Sequence, residues 1–119
     1  MNLSLGLHRF HVGDRLSEMT IHNGTIYLAG QVPSDTTQDI RGQTSQVLHM
    51  IDRLLAEVGS NNAHILMCQI FLADLADFAG MNEVWDAWTA PGNAPTRATA
   101  ECNLASPDIL VEIIVTAAL

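Results

Sequence analysis

The residues best suited to chemistry lie in one C-terminal stretch, APTRATAECNLASPDILVEIIVTAAL. There Arg97 and Glu112 stand fifteen positions apart, and Glu101 and Asp108 carry the only other charges. Arg97 is one of five cationic side chains in a chain without lysine. A guanidinium group binds a carboxylate through two parallel hydrogen bonds, which an ammonium group cannot do. Arg97 at a strand edge and Glu112 on a second strand therefore predict a site for a small anion. The alternative is a structural ion pair between Arg97 and Glu112, and the spacing favours neither.

Other residue types that carry chemistry are less well placed. Cys68 and Cys102 have no CxxC spacing and no adjacent histidine, which favours free thiols over a disulfide, a zinc site or an activated nucleophile. Trp85 and Trp88 are expected to pack a helix against a sheet. The histidines lack the spacing of metal ligands, so no metal site is expected at His8, His11, His22, His49 or His64.

Length and composition predict a single domain, residues 1–119, that assembles into an oligomer. The chain is 48% apolar with a mean hydropathy of +0.18, and only 15% of its residues are charged. So small a fraction of charged residues in a small domain indicates that apolar surface is buried between subunits.

The net charge of −8 weighs against several classes of partner. Nucleic acids and anionic membranes are bound through clustered basic residues, and five scattered arginines supply no such cluster. No apolar run approaches the length of a membrane span, and the N-terminus MNLSLGLHRFHVGD lacks the features of a signal peptide. We therefore expect a cytoplasmic protein that binds neither membrane nor nucleic acid.

The pattern along the chain predicts two helices among six strands. Asn23-Gly24 between two β-prone runs is a strong hairpin signal. Residues 37–58 have apolar side chains at helical spacing, with Asp35 or Thr36 as the expected N-cap and Gly59 as the left-handed stop. A second helix is expected over residues 75–88, with Asp74 and Asp77 in its first turn. The remaining strands are predicted near residues 7–12, 19–22, 25–29, 64–71, 96–102 and 109–117.

This order of elements indicates an α+β fold, a mixed six-stranded sheet with two helices on one face. The final strand is apolar on both faces, which is typical of a strand covered on each side.

Four blocks of the sequence, taken together, resemble the RidA/YjgF family of reactive intermediate deaminases, and specifically its YoaB-like branch. They are IHNGTIYLAGQVP, QIFLADLADFAGMNEVWDAW, APTRATAEC and VEIIVTAAL, and the resemblance runs from about residue 15 to residue 119. It implies a chorismate-mutase-like fold and a homotrimer with a central β-barrel and a cleft at each subunit interface. It also implies hydrolysis of reactive enamines and imines, such as 2-iminopropanoate and 2-iminobutanoate, to 2-oxo acids and ammonia, without a metal or an organic cofactor.

The resemblance assigns roles to four residues of this chain. Arg97 matches the family arginine that binds the substrate carboxylate, and Glu112 matches the glutamate that orients or activates the attacking water. Asn82 matches a site-lining asparagine. Gly30 matches the glycine whose backbone faces the ligand.

Three further positions of the site depart from the family pattern. Leu16 stands in place of a tyrosine, Ala29 in place of a serine and Thr99 in place of a cysteine. The anion-binding arginine and the acid are kept while polar groups are lost, so the resemblance leaves open the preferred substrate. Two other functions stay open: a non-catalytic protein that binds 2-oxo acids in the same cleft, and an endoribonuclease, which the net charge of −8 disfavours.

Overall fold

The computed structural model describes residues 2–119. Its strands and helices, in chain order, are β1 (Leu7–Val12), β2 (Ser17–His22), β3 (Thr25–Leu28), α1 (Ile40–Glu57), β4 (Ile65–Leu72), α2 (Phe78–Trp88), β5 (Thr96–Glu101) and β6 (Val111–Ala118). Both the element order and the α+β class are as the sequence predicts.

All six strands form one mixed sheet in the order β1-β2-β3-β6-β4-β5. Each neighbouring pair is antiparallel except β4 and β5, which run parallel. The β2–β3 hairpin turns at Asn23 and Gly24, whose φ values of 49° and 84° are those that the predicted turn requires. Because β5 pairs only with β4, it forms an edge of the sheet.

Helix α1 begins later than predicted. The side chain of Asp39, not Asp35 or Thr36, caps the helix by accepting a hydrogen bond from the Gly42 backbone N–H. Asp35 instead accepts hydrogen bonds from the N–H and hydroxyl of Thr37, which holds the preceding turn. The predicted stop at Gly59 is confirmed by its φ of 78°.

Helix α2 is shorter than predicted. A separate 3₁₀ turn spans Leu75–Asp77, where Asp74 caps by accepting from the Ala76 N–H. The α-helix proper begins at Phe78, and Asp77 makes no side-chain capping bond to it. The Trp88 indole N–H lies 3.0 and 2.9 Å from the two carboxylate oxygens of Asp52, which links α2 to α1.

The core lies between the helices and one face of the sheet. Helix α1 contributes the apolar stripe that its spacing predicts, including Val47, Ile51 and Leu55, all fully buried. One polar side chain is buried with them: Gln43 donates to three backbone carbonyls and accepts from the Leu110 N–H, so its hydrogen bonds are satisfied there.

Strand β6 shows that the sheet has one covered face and one open face. Its residues alternate strictly between buried and half-buried, with Val111, Ile113, Val115 and Ala117 buried. The alternate residues point away from the helices and include Ile114 and Ala118. A strand predicted to be covered on both sides is thus covered on only one side by residues 2–119.

Candidate functional site

The Arg97 side chain lies against helix α2. Its Nη1 donates a 2.8 Å hydrogen bond to Oδ1 of Asn82. The guanidinium carbon lies 5.0 Å from the ring centroid of Trp85 and 5.8 Å from that of Phe78. Both distances allow a cation–π attraction, which is stronger where water is partly excluded. Because Phe78, Asn82 and Trp85 are spaced by four and three residues, one helix face holds the arginine in place.

Arg97 keeps its charge available for a ligand. It is half-buried, and within residues 2–119 the recorded ion pairs are His11–Glu57 and Arg41–Glu83, neither of which involves it. Asn82 occupies one of the five guanidinium N–H groups. The remaining N–H groups of the guanidinium are free to bind a carboxylate.

Thr99 lies two residues along β5, and so on the same face as Arg97. Its hydroxyl is buried, and no residue of the described chain offers it a hydrogen-bond partner. A buried hydroxyl without a partner costs on the order of 1–3 kcal/mol. A ligand bound at Arg97 would be within reach of this group through the shared strand face.

Cys68 is the cross-strand neighbour of Arg97 in β4. It is a buried free thiol, as predicted, and Cys102 is also free. Burial raises the pKa of the Cys68 thiol to about 12, with the charge of Arg97 opposing part of that rise. The thiol is therefore protonated at neutral pH, and Cys68 is not a nucleophile.

Glu112 lies against Gly30. A Cβ atom at Gly30 would come within 2.5 Å of Oε2 and 3.0 Å of Cδ of Glu112, so only glycine leaves room for the carboxylate in this position. The neighbouring Gln31 exchanges backbone hydrogen bonds of 2.9 and 3.1 Å with Ile113. This bridge fixes the Gly30 backbone beside the glutamate.

Ala29 and Leu16 lie toward the same end of the sheet as Gly30. The Ala29 N–H donates 2.9 Å to the carbonyl of Glu18, and Leu16 is two residues before Glu18, in the β1–β2 turn. The Leu16 side chain is 56% exposed, which is unusual for a large apolar residue. We call Leu16, Ala29, Gly30 and Glu112 together the Glu112 group.

The second group, the Arg97 group, comprises Arg97, Asn82 and Thr99, and the sheet separates it from the Glu112 group. In the register of the sheet, Arg97 of β5 and Val115 of β6 both pair with Cys68 of β4, whereas Glu112 of β6 pairs with Phe71 of β4. Cross-strand partners share a face, and residues three apart in a strand point to opposite faces. Arg97 therefore lies on the helix face and Glu112 on the open face.

The distance between the two groups is also too large for a shared ligand within one chain. Two strand spacings and three residues along β4 put the Cα atoms of Arg97 and Glu112 on the order of 14 Å apart. The structural ion pair between Arg97 and Glu112 that the spacing allowed is excluded by this geometry. The structure thus places each predicted site residue in one of two half-sites and does not join them.

Sequence reasoning missed two aromatic residues beside Arg97. Trp85 was expected only to pack the helix against the sheet, and Phe78 was assigned no role, yet their rings flank the guanidinium group. Trp85 is also buried, so the packing interpretation is correct but incomplete. The sequence contains a signal for their position, because Phe78 and Trp85 lie four residues before and three residues after Asn82 and so share its helix face.

Other features of the described chain form neither a metal centre nor a membrane span. No group of three or more metal-ligating side chains comes together among residues 2–119. None of the helices combines the length and apolarity needed to cross a bilayer. Two cavities lie beside α1, and neither is lined by Arg97 or Glu112.

Comparison with known proteins identifies relatives along nearly the whole chain. The sequence model of a family described as Endoribonuclease L-PSP matches residues 7–119. A RutC family protein of Haemophilus ducreyi is 49% identical over 111 residues, which cover 93% of this chain and 95% of that protein. The RutC family protein YoaB of Escherichia coli is 46% identical over 104 residues, or 87% of this chain and 90% of its own length.

Solved structures agree. A YjgF family protein of Neisseria meningitidis superposes with a TM-score of 0.93 at 45% identity, covering 97% of this chain and 96% of that one. A protein of Pseudomonas aeruginosa superposes equally well at 47% identity, covering 95% and 98%. The predicted fold is therefore confirmed as that of the YjgF proteins. On sequence and structure together, this chain belongs to the RidA/YjgF family.

Proposed function

We propose that this protein hydrolyses reactive 2-imino acids and their enamine tautomers to 2-oxo acids and ammonia, in clefts formed between the subunits of a homotrimer. The observation that carries the proposal is the division of the site into two half-sites. Arg97 is oriented on one face of the sheet but forms no ion pair within the described chain, and Glu112 lies against Gly30 on the other face. One subunit supplies the Arg97 group of each cleft and its neighbour supplies the Glu112 group.

The open face of the sheet supports an oligomer. It carries apolar side chains that no described element covers, among them Ile114, Phe71 and the 49%-exposed Tyr27. An apolar sheet face of this kind marks a protein interface. In a cyclic oligomer with head-to-tail contacts, one surface of each subunit meets a different surface of its neighbour. The two half-sites require such a contact.

In the complete cleft, the substrate carboxylate binds the free edge of the Arg97 guanidinium. Asn82 and the two aromatic rings hold that group so that little entropy is lost on binding. The Thr99 hydroxyl is the second polar group that the substrate would meet on this face. Glu112 of the neighbour approaches the imine carbon from the other side.

The reaction needs one water and one proton carrier. Glu112 accepts a proton from water as the water oxygen bonds to the iminium carbon and the π electrons of the C=N bond move to nitrogen. The resulting amine takes that proton back from Glu112, and the C–N bond breaks to release ammonia. The hydroxyl oxygen forms the carbonyl as its proton passes through Glu112 to the ammonia. Iminium and water thus give a 2-oxo acid and ammonium.

The demands on the protein are modest because the iminium carbon is already electrophilic. Proton transfer by a positioned side chain contributes about 10²–10⁴-fold. Holding the substrate and water in line can contribute more. Neither step calls for a metal or an organic cofactor.

Binding without catalysis is the second candidate. Leu16, Ala29 and Thr99 replace polar residues of the family pattern, while the arginine stays. A protein that senses 2-oxo acids needs the arginine but not the proton carrier. An endoribonuclease, the activity after which the matching family is named, is a weaker candidate because a chain of net charge −8 has little attraction for phosphates.

We place the protein in the cytoplasm, where free thiols such as Cys68 and Cys102 remain reduced. The reactive imines would arise there from other enzymes.

The test is direct. An amino-acid oxidase acting on alanine or 2-aminobutanoate generates 2-iminopropanoate or 2-iminobutanoate, and the loss of the imine is followed with and without the protein. The proposal predicts loss faster than the spontaneous rate and no acceleration by the Arg97→Ala variant. Tight binding of 2-oxo acids without any acceleration would favour the sensor.

A further inference from the structure

A second candidate site is a cavity whose lining includes no residue of either half-site, although its Gln31 directly follows Gly30 and donates a hydrogen bond to the carbonyl of Ala29. It has a volume of about 240 Å³ and lies between one face of α1 and the β1–β2 end of the sheet. Helix α1 contributes Met50, Arg53, Leu54 and Glu57, which share a face because they are spaced by three, one and three residues. His11, Glu18 and Gln31 complete the lining, and we call this the α1 cavity.

Gln31 gives the α1 cavity a buried polar group with an unused acceptor. The residue is only 3% exposed. Its Nε2 donates 2.9 Å bonds to Oε2 of Glu18 and to the carbonyl of Ala29, so both amide protons are used. No described residue donates to its Oε1. The Oε1 atom of Gln31 is thus free to accept a hydrogen bond from a ligand with N–H groups.

The two carboxylates of the cavity have spare acceptor capacity as well. Glu57 is held by His11, whose Nε2 lies 2.7 Å from Oε2, which leaves the other oxygen free. Glu18 likewise uses one oxygen for Gln31. Each ionised carboxylate can accept up to about four hydrogen bonds. The cavity is therefore rich in acceptors on its sheet side and at Glu57.

Arg53 supplies the only arginine of the lining, and it forms no ion pair with any residue of the described chain. Met50 and Leu54 provide an apolar wall beside it. With His11 neutral, Glu18, Glu57 and Arg53 together carry one net negative charge. The lining thus offers hydrogen-bond acceptors for a cationic group, one guanidinium group for a carboxylate and an apolar surface for an apolar side chain.

We propose that the α1 cavity binds a free α-amino acid with an apolar side chain. Its ammonium group would bond to Oε1 of Gln31 and to the Glu18 and Glu57 carboxylates, and its carboxylate would pair with Arg53. Met50 and Leu54 would contact the side chain. A bare divalent cation fits less well, because it would be repelled by Arg53 and would have only two carboxylates. The volume is below the range of about 300–1,000 Å³ typical of drug-sized ligands, which points to a metabolite of this size rather than a nucleotide.

The experiment is calorimetric titration of the intact protein with three matched probes. L-Leucine carries both charges, leucinol lacks the carboxylate and 4-methylpentanoate lacks the ammonium group. Leucine should bind, and each probe lacking one charge should bind about tenfold more weakly or worse. The Glu18→Gln and Arg53→Gln variants should each weaken leucine binding by a similar factor.

Two controls separate this site from the cleft of the proposed function. Arg15→Gln removes an exposed arginine outside the cavity and should leave leucine binding unchanged. Arg97→Ala should also leave it unchanged, whatever it does to imine hydrolysis. The proposal is overturned if leucine fails to bind at millimolar concentration, or if its binding survives in Arg53→Gln and is lost in Arg97→Ala.

Discussion

Arg97 and Glu112 point to opposite faces of one sheet, although both belong to strands that pair with β4. Arg97 is level with Cys68 and Glu112 with Phe71, three residues further along that strand. No side-chain rotation can carry one through the sheet to the other. Catalysis that uses both residues must therefore take them from different copies of the chain.

Replacing Asn82 by Asp tests the role of Arg97 as an anion site. The new carboxylate would pair with the guanidinium group that Asn82 now holds at 2.8 Å and would compete with the substrate. We expect KM to rise by about tenfold or more while the free energy of unfolding changes by less than about 1 kcal/mol. Steady-state kinetics and urea denaturation measure the two effects.

The matched control is Asn23→Asp, which adds the same charge in the β2–β3 turn and keeps an oxygen for the Gly6 N–H. It should leave KM unchanged. An equal rise in KM in both variants would mean that net charge matters and the local contact does not.

Replacing Gly30 by Ala tests the position of Glu112. The added methyl group would lie 2.5 Å from Oε2 and would displace the carboxylate, which can move because it ends a flexible side chain. Displacement of a catalytic group by about 1 Å can lower kcat by about 10²-fold. Because little else is strained, we expect only a small change in stability.

A double-mutant cycle identifies the cause. If Gly30→Ala acts through Glu112, it should have little further effect on kcat in a Glu112→Gln background. Equal losses of kcat in both backgrounds would show that Gly30 acts independently of the glutamate.

The buried thiol of Cys68 predicts an alkaline limit to stability. Its pKa is raised from 9.0 to about 12 in the folded chain, so the unfolded chain loses its proton first. The free energy of unfolding is unaffected by this group below pH 9 and falls between pH 9 and pH 12, by roughly 1 kcal/mol per pH unit. The Cys68→Ala variant should show a flatter decline over that window, measured by denaturant unfolding. A decline of the same slope in both proteins would contradict the assignment.

The open sheet face predicts that one charge should dissociate the oligomer. Ile114 lies on that face in β6, and Ile114→Glu would bury a carboxylate in the interface without entering the core. Light scattering should give three times the 12.9 kDa chain mass for the unaltered protein and a lower mass for the variant. Ala56→Glu, on the exposed side of α1, is the control and should remain trimeric.

Much of the fold could be predicted because its signals are local. Asn23-Gly24 specifies its turn through two positive φ values, and the apolar stripe of α1 specifies which side faces the sheet. The N-cap was predicted incorrectly because five residues shortly before the helix are of types that can cap it: Ser34, Asp35, Thr36, Thr37 and Asp39. Asp39 caps because its carboxylate reaches the Gly42 N–H, a distance that sequence does not reveal.

The residues of the candidate site could be predicted from the sequence, but their arrangement in space could not. The resemblance to the family identified Arg97 and Glu112, and the helical spacing placed Asn82 on α2. The face on which each side chain lies depends on strand register, which is set by long-range pairing. Strand β6 is apolar on both faces, so its sequence gives no indication of the side that Glu112 occupies.

Mixing two inactive variants tests most directly whether each cleft is shared. Arg97→Ala retains Glu112, and Glu112→Gln retains Arg97, so a cleft formed with Arg97 from one variant and Glu112 from the other is complete. When equal amounts are unfolded and refolded together, about a quarter of the clefts should be complete, because each half-site is intact in half of the subunits. We predict imine hydrolysis at about that fraction of the normal rate. Mixed oligomers that form yet hydrolyse the imine no faster than either variant alone would contradict the account.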